Sequence, residues 1–130
     1  MANGLPSFDP ARPLLQSVVR GLLSHYVLEL LSDGSGLHGA EIMDRIHLMT
    51  GSRWKPSPGS VYPMLRKLEG QGLIRGGWRR TRAAPKRVYR LSKKGRVLLP
   101  ALRRAIQGDL LMARQLIELH LAALQGTAHA

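Results

Sequence analysis

Five basic residues, Arg79, Arg80, Arg82, Lys86 and Arg87, fall within nine consecutive positions with no acid among them. Side chains crowded in this way repel one another unless something anionic sits opposite. The chemistry such a cluster suits is the gripping of a polyanion. The excess is also regional. Fourteen of the 20 Lys and Arg lie between Arg66 and Arg104, where Glu69 is the only acid. Over the 130 residues, 20 basic against 8 acidic side chains give a formal net charge of +12. A field so lopsided points to nucleic acid, an anionic membrane or another polyanion as partner.

The parts of a catalytic centre are missing as a set. His38 and Glu41 stand three apart and could share a helix face, but no HExxH or comparable ligand spacing follows. His25, His47, His120 and His129 are isolated, no GxxxxGK[ST] or GxGxxG loop occurs, and there is no cysteine. An enzyme, a cofactor and a bound metal are therefore not expected. The first residues lack the apolar run of a signal peptide, and no stretch approaches the roughly 18 apolar residues of a membrane helix. A soluble cytoplasmic protein without a membrane partner is the expectation.

The basic residues need elements to hold them. Residues 1–13, with three prolines and a glycine, read as a flexible arm. Leu15, Val18, Leu22, Tyr26 and Leu30 then recur at spacings of three and four, with Leu14, Val19, Leu23, Val27 and Leu31 widening the face of a first helix. Ser32-Asp33-Gly34-Ser35-Gly36 should stop it. A second helix runs from about His38 to Met49 on Ile42, Ile46 and Met49, and Lys55-Pro56 forces an extended connector. A third opens at Ser57 as N-cap with Pro58 in its first turn, and buries Val61, Leu65 and Leu68. Two strand candidates follow, Leu73–Arg75 and Arg87–Leu91, and the residues between them form a basic hairpin tip. Trp78 in this hairpin is expected to pack the wing onto the helices, the other option being contact with a DNA sugar edge.

From Ser92 a last helix reaches about Leu124. Its stripe is Leu99, Leu102, Ile106, Leu110, Ala113, Ile117, Leu121 and Leu124, close to the 3.6-residue period. Pro100 and Gly108 weaken it, and Pro100 is where a kink belongs. The order helix, helix, helix, strand, strand, long helix describes a mainly α chain with a two-stranded β wing. It reads as a winged helix-turn-helix at 14–92, a long C-terminal dimerisation helix at 93–125 and a frayed tail at 126–130.

In such an arrangement the third helix enters the major groove of double-stranded DNA, here presenting Ser60, Tyr62, Arg66 and Lys67. The hairpin reaches a minor groove or flanking phosphates. The three helices and wing close their own core, so the apolar stripe from Leu99 to Leu121 calls for a second copy of the chain. Two-fold symmetry would then place two recognition helices about 34 Å apart. Alternatives from other classes are a nonspecific or architectural nucleic-acid-binding protein and an interaction adaptor that has lost DNA affinity.

Several segments carry a family resemblance. They are Leu37-His38-Gly39-Ala40-Glu41-Ile42, then Trp54-Lys55-Pro56-Ser57-Pro58-Gly59-Ser60-Val61-Tyr62-Pro63-Met64-Leu65, then Leu68-Glu69-Gly70-Gln71-Gly72-Leu73-Ile74, and Arg87-Val88-Tyr89-Arg90-Leu91-Ser92-Lys93-Lys94-Gly95. From about Leu22 to Leu99 the chain resembles the PadR-type transcription regulators, most of all their small members with a single C-terminal helix. The resemblance implies a homodimeric repressor that binds an inverted-repeat operator and is released by an inducer, often a phenolic acid or aromatic drug. It implies DNA contacts from His38, Gly39, Lys55, Ser57, Ser60, Tyr62, Pro63, Arg66 and Lys67, and from the wing at Arg79, Arg80, Arg82, Lys86 and Arg87. His38 could equally close the turn before its helix. The chain departs from the pattern in three places. No aromatic residue occurs from Lys93 onward, whereas members that sandwich flat drugs at the dimer interface would offer aromatic surface there. That leaves Trp54, Tyr26 or Phe8 to line an inducer site. Ala40 stands where the family usually has an aromatic, and the wing is unusually rich in arginine.

Overall fold

The computed structural model describes residues 13–128. The expected arm apart from Pro13, with Phe8 in it, and the last two residues of the tail lie outside the described residues. The elements in chain order are α1 (Pro13–Leu30), β1 (Leu37–His38), α2 (Gly39–Met49), α3 (Pro58–Gly70), β2 (Ile74–Arg79), β3 (Lys86–Leu91) and α4 (Lys93–Ala128). They divide into two compact units, one reaching Val97 and the other starting at Leu98.

In the first unit α1, α2 and α3 enclose a core that the wing closes. The inward stripe of α1 is Leu23 and Val27, with Leu28 beside it, and Leu31 just past its end continues the stripe. That is the secondary row of the sequence reading; Val18 is exposed, and Leu15, Leu22, Tyr26 and Leu30 are half-buried. Leu and Val make up nine of the 18 residues of this helix and point in most directions around it, so periodicity alone could not choose the face. Ile42 and Ile46 of α2 are fully buried as expected, but Met43 takes the third inward place and Met49 is exposed. Val61, Leu65 and Leu68 of α3 face inward as expected. Each such side chain contributes about 1.5–3 kcal/mol by leaving water.

The sheet has three strands in the order β1-β3-β2, all antiparallel. β1 is only two residues, Leu37 and His38, opposite Tyr89 and Val88. It was not expected, because two residues carry no alternation to detect. β2 is also longer than expected, running through Gly76 and Gly77 to Arg79, so that Arg79 lies directly opposite Lys86. The wing tip shrinks to residues 80–85, closed by Thr81, whose hydroxyl donates to the Ala84 carbonyl at 2.6 Å.

The turn from β3 into α4 is held tightly. Ser92 Oγ donates to the Gly72 carbonyl and accepts from the Gly95 amide at 2.9 Å. A Cβ at Gly95 would run into the Leu73 carbonyl oxygen, so only glycine allows this approach of backbone to backbone. In the second unit α4 continues past Pro100 and extends beyond the expected end near Leu124.

Candidate nucleic-acid interface

The connector before α3 is set by one hydroxyl. Thr50 Oγ1 accepts from the Trp54 amide at 3.2 Å and lies 3.0 Å from the Trp54 carbonyl, after a left-handed turn at Gly51 and Ser52. This buries Trp54 and sends Lys55 outward, where its ammonium meets the Asp44 carboxylate at 2.8 Å. The hydrogen bond from Lys55, and then its charge, hold the Asp44 carboxyl below its ordinary value of 3.8. Lys55, expected among the DNA contacts, is tied in the structure to Asp44 of α2.

Ser57 sits at the N-cap of α3, but its hydroxyl makes no capping bond and lies 3.2 Å from the Ser60 hydroxyl. Both serines are exposed, as are Tyr62, Pro63, Arg66 and Lys67. With Val61, Leu65 and Leu68 turned inward, the 100° step spreads these residues into two edges. Ser60, Pro63 and Lys67 border a groove shared with α1. Tyr62 lies on the other edge, over the start of α2. Pro63, six positions into the helix, removes only the bond to the Gly59 carbonyl, which is exposed.

His38 and Gly39 have structural duties that favour the turn-closing alternative. His38 Nδ1 accepts from the Glu41 amide at 3.4 Å, and Glu41 Oε1 accepts from the His38 amide at 3.1 Å, a reciprocal capping box. Gly39 is buried beneath the Tyr62 ring and has no face for DNA, which corrects its place among the expected contacts.

Arg87 differs from the other wing cations. Its guanidinium donates to Glu69 Oε2 at 2.7 Å, and the same oxygen accepts from the Gly76 amide at 3.1 Å. The lone acid of the basic region thus fastens the wing to α3, and the charge of Arg87 is balanced in that pair. The guanidinium also lies 5.8 Å from the Trp78 ring centre and 5.6 Å from that of Tyr89, within cation–π range.

Trp78 is 70% exposed, against the expected packing onto the helices. The longer β2 carries it out along the hairpin, two residues beyond Gly76 and directly opposite Arg87. Arg79, Arg80, Arg82 and Lys86 are exposed on the same hairpin, and Lys86 Nζ stands 3.5 Å from His38 Nε2. Among the described residues, no ion pair involves Arg66, Lys67, Arg79, Arg80 or Arg82. Sequence reasoning misplaced Trp78 and passed over the structural role of Glu69. The isolation of Glu69 among fourteen cations was the available signal.

In α4, Leu99 is buried within the single chain and cannot serve a partner, which removes it from the expected interface. Leu102 and Ile106 are half-buried, while Leu110, Ala113, Ile117, Leu121 and Leu124 are exposed. Leu111, Met112, Leu116 and Leu119, off the stripe, are exposed as well. Among the described residues no cluster of three or more potential metal ligands occurs, and no helix is long and apolar enough to cross a membrane.

Three packed helices, the third with an exposed polar face, followed by a basic β-hairpin, define a winged helix-turn-helix protein. Residues 27–101 match the family model described as the transcriptional regulator PadR-like family, and the chain belongs to that family. It is similar to the transcriptional regulator Rv3488 of Mycobacterium tuberculosis (strain ATCC 25618 / H37Rv), 31% identical over 88 residues, which are 68% of this chain and 78% of the relative. Its fold is like that of a PadR family transcriptional regulator from Eggerthella lenta, with a TM-score of 0.65 at 23% identity, over 82% of this chain and 88% of that one. Bacillus subtilis PadR, solved in complex with operator DNA, aligns with a TM-score of 0.55 at 26% identity, over 62% of this chain and 47% of that one.

Proposed function

We propose that this chain is a cytoplasmic, homodimeric repressor that binds a palindromic operator and leaves it when a small-molecule inducer binds. The DNA-binding part spans 14–92 and the dimerising helix 93–125. The single observation that carries the reading is the run of unpaired cations. Arg66 and Lys67 on the exposed face of α3, and Arg79, Arg80 and Arg82 on the hairpin, have no acid against them among the described residues. Phosphates would supply the missing negative charge, and Ser60 and Tyr62 near the start of α3 can approach base edges. The capture of Bacillus subtilis PadR on operator DNA supports the same use of the fold here. Apolar residues exposed on several sides of α4 support a partner copy, since a helix apolar over most of its surface is normally buried.

The test is a titration of the protein against the DNA upstream of its own gene, with scrambled competitor and varied salt. Saturable binding by a dimer that resists competitor is the expected outcome, with a preference of about a thousandfold or more over scrambled DNA. Binding that scrambled DNA displaces equally well would instead make the chain a nonspecific, architectural binder.

A further inference from the structure

A groove of about 740 Å³ runs between α1, the connector to α3 and the α1-facing edge of α3. Its floor and walls are apolar: Val19 and Leu23 from α1, Trp54 from the connector, Pro63 and Met64 from α3. Its rim carries Arg20, Arg53, Lys55 and Lys67 and no acid is among its lining residues, although the Lys55 ammonium is already paired with Asp44 outside the groove. Tyr26 backs Trp54 from within the fold, the two ring centres 6.2 Å apart. This volume lies in the range of about 300–1,000 Å³ typical of small-molecule sites.

We propose that this groove is the inducer site and that it takes an amphiphilic organic anion, with an apolar body against Trp54 and Met64 and one anionic head among the rim cations. The proposal rests on the DNA-binding reading for its consequence, though not for the binding itself. Ser57, Ser60, Pro63 and Lys67 belong both to the groove and to the surface of α3 expected to meet DNA. A ligand seated there covers that edge of α3 and draws Lys67 away from a phosphate, so ligand and DNA exclude each other directly. No movement has to be relayed from the second unit. The absence of aromatic residues from Lys93 onward fits a site built around Trp54 and away from the C-terminal helix.

The test uses the full chain carrying Trp78→Phe, which leaves Trp54 as the sole tryptophan, with 8-anilinonaphthalene-1-sulfonate as the probe and N-phenyl-1-naphthylamine as its uncharged analogue. The expected result is one probe per chain, energy transfer from Trp54, and affinity about tenfold above that of the uncharged analogue, reflecting a charge-assisted contact. Arg20→Gln, at an exposed position, should lose most of that preference while leaving the uncharged analogue unaffected. Met64→Glu should weaken both. If probe binding is the same in the parent and in Arg20→Gln, or if the two probes bind equally, the groove does not select an anion and the proposal fails. Operator DNA, its binding followed independently by anisotropy, should displace the probe. DNA that binds without displacing it overturns the competition, whereas DNA that never binds refutes the repressor reading and leaves the groove to be judged by the variants.

Discussion

A Cβ atom at Gly39 would lie 2.7 Å from Cε1, Cζ and Oη of Tyr62, so the aromatic ring of α3 rests directly on the first residue of α2. The contact ties the backbone-bracing helix to the one expected to read the groove. It also sets where the ring of Tyr62, a residue 40% exposed, stands on the edge of α3 away from the α1 groove.

Gly39→Ala should therefore act on DNA binding more than on stability. The clashing atoms are the far end of a partly exposed ring, which can swing outward, and alanine is the better helix former by about 1 kcal/mol. Chemical denaturation should show a change within about 1 kcal/mol, while operator affinity falls because Tyr62 is displaced. In a double-mutant cycle with Tyr62→Ala the affinity losses should be clearly non-additive. Additive losses would mean that Gly39 does not work through Tyr62.

The elements that were legible in the sequence are those whose pattern is long or chemically marked. Pro58 behind Ser57, with Val61, Leu65 and Leu68, specifies α3 through local rules that the core then reinforces, and the same holds for β3. Where the reading departed from the structure, the cause was information that only tertiary contact supplies. Gly76 and Gly77 look like a turn until cross-strand pairing and the Glu69 carboxylate hold them in β2. Arg87 looks identical to Arg79 in a list of cations; its pairing with Glu69 depends on a contact between residues 18 apart. Leu99 carries the right period for the α4 stripe, and nothing local says that the chain already buries it.

That difference between Arg87 and its neighbours should appear in the salt dependence of operator binding. Arg79→Gln, Arg80→Gln and Arg82→Gln should each lower the magnitude of the slope of log K against log salt by about 0.9, one phosphate contact apiece. Arg87→Gln should leave the slope nearly unchanged, because its charge is already balanced by Glu69. It should instead destabilise the fold by about 1–3 kcal/mol, since the Glu69 carboxylate, about one-third exposed, loses its charged partner. A full unit of slope lost in Arg87→Gln would return that residue to the DNA surface.

Acid should act on α2 through Asp44. A carboxylate whose folded pKa is depressed contributes stability above its unfolded pKa and loses it as pH falls through the folded value. The Lys55 partnership should thus be constant at neutral pH, begin to fade as pH falls through the ordinary carboxylate value of 3.8, and be lost only below the depressed folded value. Melting temperatures of the wild type and Asp44→Asn should differ by a small, constant amount at pH 6 and 8 and converge in acid. At neutral pH the same substitution releases Lys55, so operator binding should tighten modestly and its salt slope steepen. Weaker binding by Asp44→Asn would show that Lys55 needs Asp44 to hold it in place for DNA.

The C-terminal helix offers the sharpest test of assembly. Leu110 and Ile117 lie seven residues apart on one face, each about half exposed in the single chain. In a two-fold dimer each would be buried twice. Since each is already about half buried, dimerisation gains about half of the roughly 1.5–3 kcal/mol per side chain, so replacing both with aspartate removes about 3–6 kcal/mol from the dimer, before any cost of burying the carboxylates. Light scattering coupled to size exclusion should find the wild type as a dimer at micromolar concentration and Leu110→Asp/Ile117→Asp as a monomer. Leu99→Ala is the matched control. Leu99 is buried within one chain, so its truncation should cost about 2–5 kcal/mol of fold stability while the residues exposed for pairing stay in place. A monomeric wild type, or a dimer that survives both aspartates, would mean that the exposed leucines of α4 meet something other than a second copy of this helix.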